Sequence, residues 1–97
     1  MKKKYSIVRR YEDVGAYLQT ARQKSGLSQR QVADTLGYSS AQFISNFERG
    51  IAVPPLKKLK VLVRMYKLSV PELMERILVA ERRLMENVLD ARRSRTM

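Results

Sequence analysis

Residues 27–50, LSQRQVADTLGYSSAQFISNFERG, hold two short helical patterns with a break between them. Ser28 is placed to cap the first, its hydroxyl accepting an orphan amide of the opening turn, and Gln31 three residues on completes a capping box. Gly37 interrupts the pattern, and Ser39 or Ser40 starts the second helix. Stepping the second helix at about 100° per residue sets Phe43, Ile44 and Phe47 on one face and Gln42, Ser45, Asn46 and Arg49 on the other. The first set reads as core and the second as an exposed row of hydrogen-bonding side chains.

The remainder of the chain must supply a core for these two helices. Its 97 residues, 44% of them apolar, suffice for one small domain with tails. There is no cysteine and no histidine. This removes disulfides, the usual zinc ligands and every Cys or His nucleophile and base, so neither a cofactor nor catalysis is expected. Tyr5 to Val8 is too short for a signal-peptide apolar region, and no run is long enough to span a membrane; a cytoplasmic protein is expected. The net charge of +11 attracts polyanions or anionic surfaces. The surplus flanks residues 27–50, where Arg30 and Arg49 are balanced by Asp34 and Glu48.

Upstream, Lys2, Lys3, Lys4, Arg9 and Arg10 belong to a basic arm over residues 1–11. It reads first as a solvated tail and second as an arm that follows DNA phosphates. From Glu12 to Lys24 the pattern is helical, with Val14, Tyr17, Leu18 and Ala21 facing a core, acidic Glu12 and Asp13 at the favourable dipole end, and Gly26 as the stop. In the next helix Val32, Ala33 and Leu36 are apolar, Ala33 being small where another helix must come close.

Here the sequence resembles a known family. GLSQRQVADTLG followed by ISNFERG is similar to the helix-turn-helix of phage repressor and Cro-like regulators, the XRE type. VGAYLQTARQKSG upstream resembles the family's first helix, and PPLKKLKVLVRMYKLSVPELM downstream its fourth helix and the start of its fifth. The resemblance implies an all-α, lambda-repressor-like five-helix domain over residues 12–78, with residues 79–97 prolonging the last helix into a basic tail. It further implies that the second helix of the motif enters the major groove of double-stranded DNA while the first crosses the backbone. Gln42 and Asn46 are then the base readers, with Ser45 and Ala41 beside them. Gln42 has a competing role as the capping-box partner of Ser39. Gln29 resembles the family's phosphate-contacting glutamine, and Ser28 and Ser40 join it at the backbone. Arg30 and Arg49 are phosphate candidates on charge alone, and the resemblance makes Arg22 and Glu48 an ion pair between the first helix and the recognition helix.

Two departures from the family pattern stand out. Between Gly37 and Ile44 the chain has one residue more than the commonest motif, so Tyr38 and Ser39 occupy a longer turn and set the pitch of the second helix. After Gly50 the residues Ile51, Ala52 and Val53 replace basic or polar ones, leaving phosphate contact to Lys57 and Lys58; Lys60, Arg64 and Lys67 continue a solvated stripe. Pro54 and Pro55 introduce a fourth helix with Leu59, Leu62, Val63 and Tyr66 inward, and Ser69, Pro71 and Glu72 open the last one. If that helix runs to Arg92 it is roughly 33 Å long. Val70, Leu73, Ile77, Ala80, Leu84, Asn87 and Ala91 alternate three and four apart as a heptad seam, and Met74, Leu78, Met85, Val88 and Leu89 widen it.

This pattern predicts a homodimer joined through Ile77, Ala80, Leu84, Val88 and Ala91, with a fold-back onto the chain's own core or N-terminal segment as the alternative. The function expected is a DNA-binding transcriptional regulator, a repressor on a palindromic operator. A protein-interaction module, an antitoxin or adaptor using the long helix, and a sequence-blind chromatin-like protein are the competing readings.

Overall fold

A computed structural model of the chain describes residues 9–90. The Lys2–Lys4 part of the arm, Ala91 and the expected helix end at Arg92 lie outside them. The described residues form five helices and no strand: α1 (Glu12–Lys24), α2 (Gln29–Leu36), α3 (Gln42–Glu48), α4 (Leu56–Tyr66) and α5 (Val70–Leu89). Helix α1 packs against α3, α4 and α5, and α3 also packs against α2.

The core is built from the apolar positions of the helical patterns. Val14 and Leu18 of α1, Val32, Ala33 and Leu36 of α2, Ile44 and Phe47 of α3, Leu59, Leu62 and Tyr66 of α4 and Leu73 of α5 form one buried cluster. Tyr17, Ala21 and Val63 pack at its edge. Phe43, expected inside, is 42% exposed, whereas Ile44 and Phe47 are 3% and 7% exposed. Helix α3 has its buried centre between Ile44 and Phe47, and Phe43 falls on the margin of that face.

Close approach of α1 to α3 depends on Gly15, which the apolar pattern did not single out. A Cβ on this residue would stand 2.4 Å from the Glu48 carbonyl oxygen and 2.5 Å from that of Phe47. The end of α3 is held from the other side as well. Gly50, at φ +82°, accepts a hydrogen bond from Tyr11 N–H at 3.0 Å, and a Cβ there would meet the Glu12 backbone at 2.6 Å. Only a residue without a side chain fits either place. The start of α1 therefore clamps α3 at its C-terminal end.

Helix α5 is opened by Ser69, whose hydroxyl accepts from Glu72 N–H at 3.3 Å, with Pro71 in the first turn. Its 20 residues make it about 30 Å long. Arg76 fastens it to α1, donating to both carboxylate oxygens of Asp13 at 2.8 Å and to Glu72 at 3.0 Å, with its guanidinium 4.6 Å from the Tyr17 ring centre. Tyr11 adds a bond to Glu81 at 2.9 Å.

The first half of the expected seam is thus taken by the chain itself. Leu73 is buried, Ile77 packs on the core, and Ala80 and Leu84 are half-buried. Val88 remains open, together with Val70, Met74, Leu78, Met85 and Leu89. At about 100° per residue these six share one side of α5, which meets the seam at Val70 and is centred away from the rest of it.

Candidate nucleic-acid interface

The capping box at the start of α2 is complete. Ser28 Oγ accepts from Gln31 N–H at 3.0 Å, and Gln31 Oε1 accepts from Ser28 N–H at 2.8 Å. The two following amides, of Gln29 and Arg30, have no partner within the helix ladder and carry its positive dipole end. They form the part of the interface suited to a phosphate oxygen. The Gln29 side chain is engaged inward, its Nε2 donating to Glu48 Oε1 at 2.9 Å. Arg30 is exposed and 3.6 Å from Asp34.

The longer turn between α2 and α3 is accommodated without distorting either helix. Gly37 takes the left-handed conformation, and the Gly37 and Tyr38 amides bond back to Asp34 and Ala33 at 3.1 and 2.9 Å, closing α2 in a Schellman arrangement. Residues 38–41 then lead into α3, which starts at Gln42, two to three residues later than the serines suggested. Ser40 still serves as a cap: its hydroxyl accepts from Gln42 N–H at 3.0 Å. Ala41 sits half-buried at the helix entrance.

With the cap supplied by Ser40, the Gln42 side chain is not used in a capping box. Its Nε2 donates to Asn46 Oδ1 at 2.9 Å on the exposed side of α3. Each amide orients the other, leaving Gln42 Oε1 to accept and Asn46 Nδ2 to donate outward. Gln42, which keeps its oxygen and a second amide N–H free, can complement the adenine N6 and N7 edge. Ser45 lies next to this pair, half-buried, and Arg49 at the end of α3 forms no ion pair among the described residues.

The C-terminal end of α3 is held by the Arg22–Glu48 bridge. Arg22 Nε donates to Glu48 Oε2 at 2.6 Å, Nη2 to Oε1 at 3.2 Å, and Nη1 to the Leu27 carbonyl at 2.7 Å. Both residues are 8% exposed. The hydrogen-bonded carboxylate holds the Arg22 guanidinium above its ordinary pKa, against the effect of burial. With Gln29 on the same carboxylate, α1, α2 and α3 are tied at one point. Burial pushes the Tyr66 phenol well up, with the Glu48 charge adding to it.

The two lysines expected at the backbone differ. Lys57 is exposed at the start of α4. Lys58 donates to the Leu36 carbonyl at 2.6 Å, covering the negative end of α2, and its ammonium lies 5.2 Å from the Tyr38 ring centre. Lys60, Arg64 and Lys67 are exposed, while Ala52 and Val53 turn onto the core.

A short helix crossing to a second whose open face carries an amide pair is the arrangement of a helix-turn-helix. Residues 13–77 match the protein family described as helix-turn-helix domain. The chain belongs to this family. The match spans all of α1–α4 apart from Glu12, and the first eight residues of α5; of the clamp around α3 it includes Gly15 and Gly50, while Tyr11 and Glu12 precede it. No curated protein and no solved structure matches it. No helix among the described residues is long and apolar enough to cross a membrane.

Proposed function

We propose that this helix-turn-helix protein is a sequence-specific regulator of transcription that binds double-stranded DNA as a homodimer and represses by occupying a palindromic operator. The observation that carries the reading is the hydrogen-bonded Gln42–Asn46 pair, open on α3, the helix whose last residue makes the Arg22–Glu48 bridge. Two polar side chains that orient one another on an exposed helix face cost entropy and add little to folding, but they suit base readout. The open amides of Gln29 and Arg30, with Ser28 and Arg49, provide phosphate contacts that set register. The reading also draws on the basic flanks for affinity.

The homodimer is supported by α5. Six exposed apolar residues on one side of a single helix, joined by Leu56 at 82% exposure beside the start of α4, make a patch larger than a solitary small domain needs. Paired across a two-fold axis through this side, two chains would present α3 to half-sites about 34 Å apart. The same patch favours a second reading, in which α5 docks a different protein and the domain acts as an antitoxin-like adaptor.

Selection of bound duplexes from a random library, with the mass of the complex measured, tests both. A palindromic consensus bound by two chains is expected. Gln42→Ala and Asn46→Ala should each weaken the selected duplex by about 1–3 kcal/mol while leaving random duplex nearly unaffected. Equal losses on both duplexes would remove these residues as readers, and a monomer without duplex affinity even in low salt would favour the adaptor.

A further inference from the structure

Phe43 is a large apolar side chain in a place where burial does not explain it. It lies three residues before Asn46, so on a helix it neighbours one member of the amide pair. Nor is it loose. Its ring stacks on Tyr38 with centroids 4.5 Å apart and planes 10° from parallel. Tyr38 in turn rests against Phe47, at 5.9 Å and tilted, and under the Lys58 ammonium, which is itself bonded to the Leu36 carbonyl. The residue added to the turn places Tyr38 in this stack, and the stack holds an aromatic plate at the edge of the polar face. A group that is exposed, apolar and immobilised beside a hydrogen-bonded amide pair has the make-up of a recognition contact.

We propose that Phe43, braced by Tyr38, is a specificity-determining residue that packs on the C5-methyl group of a thymine next to the bases met by Gln42 and Asn46. The thymine methyl is the one apolar mark a base pair shows in the major groove, and aromatic and aliphatic side chains are its complements. The amides alone tell donor from acceptor; Phe43 adds discrimination of thymine from cytosine, which lacks the methyl. This inference rests on the reading of α3 as the base-contacting helix.

The test uses the full chain and the duplex it selects. Each thymine is replaced in turn by deoxyuridine, which removes the methyl and nothing else. Loss of about threefold to fivefold is expected at one thymine per half-site, the effect of one buried methyl. Phe43→Ala should bind the thymine and deoxyuridine duplexes equally, and Phe43→Leu, which keeps an apolar tip and the fold, should restore part of the difference. Gln42→Ala should bind more weakly yet keep the deoxyuridine penalty. If the wild-type chain is indifferent to deoxyuridine at every thymine, or if Phe43→Ala and Phe43→Leu both retain the penalty, the proposal is overturned while duplex binding by α3 stands. If no duplex is selected at all, the reading of α3 falls and the proposal with it.

Discussion

Glu48→Ala is the perturbation that bears most directly on how α3 is held. It removes the acceptor of three hydrogen bonds, two from Arg22 and one from Gln29, and leaves the guanidinium with the Leu27 carbonyl alone. Arg22 is too buried to recover the loss from water, so the cost is that of an uncompensated buried charge, about 3–5 kcal/mol. Against a total stability of about 5–12 kcal/mol for a domain of this size, that is a large share. At about 4–8 °C per kcal/mol, Tm should fall by 12 °C or more. Thermal unfolding followed by circular dichroism measures the Tm, and urea unfolding the free energy. The partner experiment is the double variant Arg22→Met with Glu48→Leu, which removes the charge together with its counter-charge. Its stability should return to within about 1 kcal/mol of the native chain, because the desolvation penalty disappears with the pair. A loss below about 1 kcal/mol for Glu48→Ala, or a double variant as unstable as the summed single changes, would refute the account.

Gly15→Ala should destabilise by about 1–3 kcal/mol in the same unfolding assay, because overpacking against the Phe47 and Glu48 carbonyls outweighs the better helix propensity of alanine; a neutral or stabilised variant would show that α1 and α3 can separate freely. Lys67 closes α4 at φ 56°, a left-handed conformation that burdens any residue with a Cβ. Lys67→Gly is expected to raise stability by about 0.5–1 kcal/mol, read as a higher urea midpoint with unchanged slope, and no rise would mean that the lysine side chain offsets the strain.

What the sequence by itself determined were the local features. Ser28 with Gln31, Gly26, Gly37 and Ser69 with Pro71 mark helix ends through bonds made within a few residues, and apolar spacing alone assigned most of the core. That Gln42 and Asn46, four apart on a short helix, share its polar face was also legible from spacing, whereas their hydrogen bond is seen only in the structure. The start of α3 was not: two candidate residues, Ser39 and Ser40, precede it, and only the geometry of the longer turn selects Ser40 as the cap.

Tertiary structure decided the rest, because each case depends on where a second helix lies. Phe43 has the spacing of a core residue, yet Tyr38 arrives from the turn and holds it at the margin of the polar face. Gly15 and Gly50 look ordinary in the chain and become essential only where the start of α1 crosses the end of α3. The heptad seam of α5 is a true helical stripe, but α1 meets it through Arg76–Asp13 and Tyr11–Glu81 and turns its first half inward. A periodic pattern states which residues share a face; only the packing states what that face meets.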